Sequence, residues 1–141
     1  MSNYIAYEDL QDIFAKARKQ SEQLYKERKE YMASHPLLEE GAVLDEEKSV
    51  RWNREEVIRK NNFIKGKLAA YSAKINQCDR EVNQKIQEYL CSEFGFTEAV
   101  ARIIFNEAYE DGHHAGFEEV ASYARSYGLL IEQVFEAMDL R

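Results

Sequence analysis

The sequence is poor in residues that break helices and in residues that form covalent cross-links. It contains one proline, six glycines and two cysteines among 141 residues. A fold of strands and turns or a disulfide-stabilised domain normally needs more of them. Cys78 and Cys91 lie thirteen residues apart on what reads as one helix, so they point about 220° apart and cannot pair with each other. These shortages favour an all-α protein in a reducing compartment.

Two further absences limit where the protein acts and what it binds. No window reaches the roughly 18 apolar residues of a membrane span, and the N-terminus lacks a basic run followed by an apolar stretch. We therefore expect a cytoplasmic protein that does not enter a membrane. Excess positive charge is also lacking, because the net charge is −7. This balance argues against direct binding to a nucleic-acid backbone.

The charge is distributed unevenly along the chain. Residues 57–78 carry five basic and no acidic side chains, whereas residues 79–141 carry 5 basic and 13 acidic side chains. The acidic final third could pair with the basic window inside the fold or across a subunit boundary. An acidic protein thus contains one wholly basic segment.

The apolar residues that are present follow helical spacing. In the first helix they recur every seven residues, at Leu10, Ala17, Leu24 and Tyr31. This helix should stop near His35, because Pro36 disfavours helical geometry at the preceding residue. A second stripe steps by four and three through Ile64, Leu68, Tyr71, Ile75, Cys78, Val82 and Tyr89. It predicts a second helix with Asp45 as its N-cap, reaching about Cys91 and either kinked near Gly66 or projecting.

The two matching stripes predict a long, antiparallel, coiled-coil-like helical hairpin over residues 1–92. Its spare apolar surface favours homo-oligomers. Two more helices should follow in residues 97–141, beginning after Thr97 and ending with a helix from Leu130 to Met138. The sequence leaves open whether Gly112 and Gly116 interrupt the third helix or whether it continues to Gly128. We interpret residues 1–141 as one all-α domain.

The segment AYEDGHHAGFEEV, residues 108–120, holds the most unusual residues. Ala108, Gly112 and Gly116 form a groove of small residues at four-residue steps. Each glycine costs about 1 kcal/mol in a helix relative to alanine, so the pattern needs a reason. Close packing of helices is the favoured reason, and close approach of a ligand to the backbone is the alternative.

Two patterns of carboxylates in this region are incomplete. A di-metal site would use Glu107, Glu110 and His113, but no second Glu-x-x-His occurs in the sequence. Metal-dependent all-α nucleotide pyrophosphatases use paired glutamates and a Glu-x-x-Asp, and Ser122 stands where that aspartate is required after Glu119. We therefore expect no catalytic residue, no bound metal and no cofactor, and retain a pyrophosphatase as an alternative.

A ligand site is predicted from two groups of residues. The basic window offers side chains that can hold phosphate oxygens, namely Arg59, Lys60, Asn62, Lys65 and Lys67. The unusual segment offers rings that can contact a base or a ribose, namely Tyr109, His113, His114 and Phe117. The alternative is that the lysines are simply solvated on a long helix.

The same segment resembles part of small uncharacterised bacteriophage proteins, with the form Ala-x-x-x-Gly-His-x-x-Gly-x-x-Glu-Val. The pattern falls on Gly112, His113, Gly116, Glu119 and Val120. The resemblance implies a short phage-encoded accessory protein that counteracts host defence in the cytoplasm of the host cell.

Two non-enzymatic routes to such inhibition remain open. An oligomeric helical assembly could sequester a small nucleotide signal in a pocket lined by two or more subunits. Alternatively, the acidic surface could bind a host enzyme as a protein–protein inhibitor.

Overall fold

The computed structural model of the protein describes residues 5–112 and 115–139. This part of the chain forms four α-helices and no strand: α1 Tyr7–Ser34, α2 Val50–Phe94, α3 Glu98–Asp111 and α4 Phe117–Met138. The predicted all-α class, with a helical hairpin and two C-terminal helices, is confirmed. None of these described helices combines the length and the apolar character that a membrane crossing requires.

The ends of the two long helices follow local signals. α1 ends at Ser34, as Pro36 predicts. The prediction that Asp45 caps α2 is wrong, because α2 begins at Val50 and the Ser49 hydroxyl accepts the Trp52 N–H at 3.0 Å. Asp45 instead accepts the Glu47 N–H within the loop. α2 passes through Gly66 as one continuous helix.

The chain divides into two compact units, and the boundary falls within α1 and α2. Unit 1 consists of residues 1–19 and 78–141, and unit 2 consists of residues 20–77. In unit 2 the rings of Tyr31 and Tyr71 lie 6.2 Å apart, which places the end of α1 beside α2. The unit is an antiparallel hairpin of two helical segments and their loop.

Two asparagines of α2 hold the loop of unit 2. The Asn53 side-chain oxygen accepts the N–H groups of Leu44 at 2.7 Å and Asp45 at 3.0 Å, and its amide donates to the Asp45 carbonyl at 3.0 Å. The Asn61 side-chain oxygen accepts the Leu38 N–H at 2.8 Å, and the Asn61 amide N–H donates to the Leu38 carbonyl at 2.9 Å. Asn53 is buried, so these bonds satisfy a polar group that would otherwise be costly to bury.

Unit 1 contains the main apolar core. Its most completely buried large side chains come from α1, α2 and α3, and they are Leu10, Phe14, Val82, Ile86, Tyr89, Leu90 and Ile104. The rings of Tyr7 and Tyr89 lie 5.8 Å apart, so the start of α1 packs beside the end of α2. The stripe residues that fall in unit 1 are buried, namely Leu10, Ala17, Cys78, Val82 and Tyr89.

The structure answers the question that the sequence left open at Gly112 and Gly116, because these glycines lie between two separate helices. α3 begins after Thr97 as predicted, and the Thr97 hydroxyl accepts the Val100 N–H at 3.3 Å. Gly112 ends α3 by donating its N–H to the Ala108 carbonyl, and α4 begins after Gly116. The prediction of a separate helix from Leu130 to Met138 is wrong, because α4 runs unbroken through Leu130.

Gly128 lies inside α4 and not at its end, and the ring that packs on it accounts for the glycine. A Cβ atom at this position would lie 2.5 Å from the Phe94 ring. The missing side chain lets that ring pack directly on the backbone of α4, which is a reason for a glycine in mid-helix.

Candidate functional site

The structure places the two predicted groups of ligand residues in different units. The basic group, Arg59, Lys60, Asn62, Lys65 and Lys67, is exposed on α2 in unit 2. Tyr109 and Phe117 belong to unit 1. His113 and His114 lie outside the described residues. The two groups therefore do not form one site within a single unit.

A cleft of about 340 Å³ in unit 1 brings Tyr109 and Phe117 together. The side chains and backbone that line it and bear on ligand binding are Arg18, Asp79, Asn83, Tyr109, Gly116 and Phe117. α1, α2, α3 and the start of α4 all contribute to this lining. Residues about sixty positions apart in the sequence thus converge on one concave surface.

The two aromatic rings of the cleft are anchored by core residues. The Phe117 ring is half-buried, and its centroid lies 6.1 Å from that of the buried Phe14. The Tyr109 ring is 5.9 Å from Phe105 and is 49% exposed. Each ring therefore has a fixed side towards the core and an accessible side.

Arg18 supplies the positive charge of the cleft. Its guanidinium Nη2 lies 3.8 Å from the Glu118 carboxylate, and both side chains are about half exposed. An ion pair of this length and exposure is weak, so the guanidinium can exchange Glu118 for another anion. A Cβ at position 116 would lie 3.0 Å from the Glu119 carboxylate and 3.8 Å from Arg18 Nη2, so a side chain there would crowd Glu119 and only touch the guanidinium.

Asp79 and Asn83 supply hydrogen-bonding groups on one face of α2. Burial raises the pKa of the Asp79 carboxyl, because removal from water disfavours the charged form. Asn83 is half-buried and can both donate and accept through its amide. The cleft thus combines one cation, two hydrogen-bonding side chains and two rings.

The small residues of the unusual segment have separate roles. Ala108 is fully buried, and a Cβ at the buried Gly112 would lie 3.1 Å from the Tyr123 ring. Gly116 is exposed and lines the cleft. Close packing accounts for the first two positions, whereas a Cβ at position 116 would lie 3.0 Å from the Glu119 carboxylate.

The acidic residues of this region are spread over the surface. Glu107 and Glu110 are exposed on α3. Asp111 accepts a hydrogen bond from the Tyr127 hydroxyl, and this bond raises the pKa of Tyr127. Within residues 5–112 and 115–139, no group of three His, Cys, Asp or Glu side chains could hold a metal ion.

A second, wider groove of unit 1 lies where α2 ends and α3 begins. It measures about 870 Å³ and is lined mainly by polar side chains, including Gln84, Glu88, Glu98 and Arg102. Burial, together with the charges of Glu98 and Glu88, raises the pKa of the Cys91 thiol in this groove. The thiolate is therefore disfavoured, and with it nucleophilic chemistry at Cys91.

Sequence reasoning missed Arg18, Asp79 and Asn83. Asp79 and Asn83 lie four residues apart, and each directly follows a buried residue of the second apolar stripe, Cys78 or Val82. This position could have marked both residues as candidates, since it places both side chains along one edge of the apolar stripe. Arg18 likewise follows a buried stripe residue, Ala17, but its convergence with Asp79 and Asn83 depends on the tertiary fold.

The comparisons with known proteins assign no function to the chain. The profile of a Family of unknown function (DUF8546) matches residues 4–135. This match includes every residue named above as lining the cleft. No curated protein and no solved structure matches the chain.

Proposed function

We propose that this chain, which belongs to the Family of unknown function (DUF8546), is a non-enzymatic binding protein that sequesters a small nucleotide. The observation that supports this proposal is the cleft of unit 1, where Arg18, Asp79 and Asn83 line the same space as two anchored rings. Its volume of about 340 Å³ suits a small ligand, since such pockets span about 300–1,000 Å³.

The chemistry of a nucleotide matches the chemistry of the cleft. A planar base can pack against Tyr109 and Phe117, whose accessible faces are apolar. Asp79 and Asn83 can bond the edge of the base or the ribose hydroxyls. Arg18 can hold the phosphate through charge-assisted hydrogen bonds. In this arrangement Arg18 takes the phosphate-binding role that the sequence assigned to the basic residues of α2.

The biological setting follows from the resemblance to phage proteins. The segment that carries it, residues 108–120, includes Tyr109, Gly116 and Phe117 of the cleft. We propose a phage-encoded accessory protein that removes a nucleotide signal used in host defence, in the cytoplasm of the host.

Binding of a nucleotide panel to the purified protein tests this proposal. Isothermal titration calorimetry with mono-, di- and cyclic nucleotides, and with the matching nucleosides, should identify at least one nucleotide that binds. Arg18→Ala should weaken that binding about 10- to 100-fold, as expected for a charge-assisted bond, without changing nucleoside binding. Lys19→Ala, an exposed neighbour on α1, is the matched control.

The same experiment distinguishes capture from catalysis. Nucleotide recovered after heat denaturation of the complex should be chemically intact by chromatography and mass spectrometry. Hydrolysed product would overturn the non-enzymatic part of the proposal and favour a pyrophosphatase. Absence of binding across the panel, or unchanged binding by Arg18→Ala, would overturn nucleotide capture in this cleft.

A protein–protein inhibitor is the second candidate, and the acidic charge of residues 79–141 favours it. An acidic surface attracts a basic partner at long range. This candidate predicts one host polypeptide that co-purifies with the protein, dissociates at high salt and is unaffected by added nucleotide.

A further inference from the structure

The two hydrogen-bonding side chains of the cleft in unit 1 have no partner among the residues that the structure describes. Asp79 and Asn83 are half-buried, and neither side chain forms a hydrogen bond or an ion pair with another described residue. Their polar atoms are not sealed from solvent, so a ligand in the cleft can reach them. A partly desolvated carboxylate without a donor is costly, and a ligand that supplies donors removes that cost.

The positive charge of the cleft is separate from this carboxylate. Arg18 pairs with Glu118 at 3.8 Å and forms no ion pair with Asp79. The cleft therefore presents one group for an anion and another for hydrogen-bond donors, and these two groups do not satisfy each other. A matching ligand carries both an acidic group and adjacent donors, together with a planar part that packs on Tyr109 and Phe117.

The arrangement of Asp79 and Asn83 matches one kind of base. They lie four residues apart on α2, so their side chains are neighbours on one side of the helix. An ionised carboxylate only accepts hydrogen bonds, and its two oxygens can take two adjacent donors. The pairing edge of guanine offers such donors, N1–H and the N2 amino group, beside the O6 acceptor. Adenine presents an acceptor at N1, which a carboxylate repels.

The surroundings of Arg18 limit the number of phosphates. Glu118 pairs with Arg18, and the Glu119 carboxylate lies beside Gly116 of the cleft lining. One cation next to two carboxylates favours a single phosphate, because each added phosphate increases the repulsion. The volume of about 340 Å³ lies near the lower end for small-molecule pockets and favours one nucleotide unit over two.

We infer that the ligand of this cleft is a guanine mononucleotide, and that Asp79 is the residue that determines base specificity. Asp79 accepts N1–H and the N2 amino group of the base, Asn83 donates its amide N–H to O6, and Arg18 holds the phosphate. The inference rests on the proposed nucleotide binding, to which it adds the identity of the base and the number of phosphates.

Four nucleoside 5′-monophosphates that differ only in the base test this assignment by isothermal titration calorimetry. The wild-type protein should bind guanosine monophosphate most tightly. Inosine monophosphate lacks only the N2 amino group, so it loses one charge-assisted bond and should bind at least about tenfold more weakly. Adenosine and xanthosine monophosphates place an acceptor against the carboxylate and should bind at least about 100-fold more weakly.

Exchange of the carboxylate for an amide should reverse the preference between two bases. In Asp79→Asn the side-chain oxygen can accept N1–H while the amide donates to O2 of xanthine, where guanine places its N2 donor. This variant should therefore bind xanthosine monophosphate at least about tenfold more tightly than guanosine monophosphate. Damage to the fold cannot explain a gain of xanthine binding. Asp12→Asn, an exposed change on α1, is the matched control and should keep the wild-type order.

The number of phosphates is tested with the same base. Guanosine di- and triphosphates should bind at least about tenfold more weakly than the tighter of the two monophosphates, 5′ or 3′,5′-cyclic. Tighter binding of the di- or triphosphate would overturn the assignment of a single phosphate.

The outcomes separate this inference from the proposed function. Adenosine monophosphate that binds as tightly as guanosine monophosphate, and weakens in Arg18→Ala, would overturn the base assignment and leave nucleotide capture standing. An Asp79→Asn variant that weakens all four monophosphates equally would show that Asp79 does not determine the base. Absence of binding by every nucleotide would overturn both. The wild-type order of the four ligands tests the base assignment without any variant.

Discussion

Three asparagines lie close together on the sequence of α2, and they have different surroundings. Asn53 and Asn61 bond the backbone of the preceding loop, whereas Asn62 is exposed. Sequence reasoning selected Asn62 as a candidate phosphate ligand because it lies among basic residues. It could not identify the other two as loop anchors, because their partners are backbone groups that become adjacent only in the folded hairpin.

Replacing Asn53 should loosen the loop. Asn53→Ala leaves the N–H groups of Leu44 and Asp45 without their acceptor, so we expect a loss of about 1–3 kcal/mol in the free energy of unfolding. Hydrogen exchange at those two amides should accelerate as well. Asn62→Ala, an exposed change on the same helix, should stay within about 0.5 kcal/mol of the wild type. Equal effects of the two variants would contradict the anchoring role.

Asp79 should make stability depend on pH in a direction opposite to that of most carboxyl groups. Its pKa is raised by burial, so its contribution to stability is present below the ordinary pKa and is lost as pH rises through the raised value. Asp79→Asn cannot ionise and should therefore melt at a higher temperature than the wild type at neutral pH. The difference should vanish in strong acid.

Thermal denaturation at several pH values measures the Asp79 effect. Asp12→Asn, on an exposed position of α1, controls for the change in net charge. A lower melting temperature for Asp79→Asn at neutral pH would show that the carboxylate is stabilised in the folded protein.

At the level of helices, the ends that were predicted correctly depend on local chemistry. Pro36 stops α1 and Thr97 caps α3. The helix α2 runs three residues past its predicted end near Cys91, to Phe94, and Gly95 follows it with a positive φ of 69°. Glycines inside helical patterns are different, because their role depends on what lies opposite them. Gly112 ends a helix and Gly128 does not, although both sit at four-residue steps in the same apolar pattern.

Alanine at two helical glycines should have opposite effects on stability. Gly66 is exposed and a Cβ there would meet no atom within 4 Å, so Gly66→Ala should add about 0.5–1 kcal/mol through helix propensity. At Gly128 a Cβ would overlap the Phe94 ring, so Gly128→Ala should cost about 1–3 kcal/mol. Chemical denaturation measures both, and a gain at Gly128 would mean that Phe94 moves freely.

At the scale of the whole molecule, the division into two units was not predicted from the sequence. The apolar stripes run through both units without a break, so the hairpin reads as one continuous element. The change from the basic window to the acidic final third at residues 78 and 79 lies beside the unit boundary, but the sequence analysis interpreted it only as possible charge pairing. The predicted site combined the basic residues of unit 2 with the rings of unit 1. The structure instead sets Tyr109 and Phe117 beside Arg18, Asp79 and Asn83, which only long-range packing brings together.

This separation predicts that nucleotide binding does not use the basic residues of α2. Lys65→Glu should bind nucleotide with wild-type affinity, whereas Arg18→Ala should bind it more weakly, because Lys65 lies in unit 2 and Arg18 lines the cleft of unit 1. Native mass spectrometry can report subunit number and bound nucleotide in one spectrum. If Lys65→Glu loses the nucleotide, the site needs the basic residues of α2, and the pocket lined by several subunits that the sequence favoured would replace the single-chain cleft.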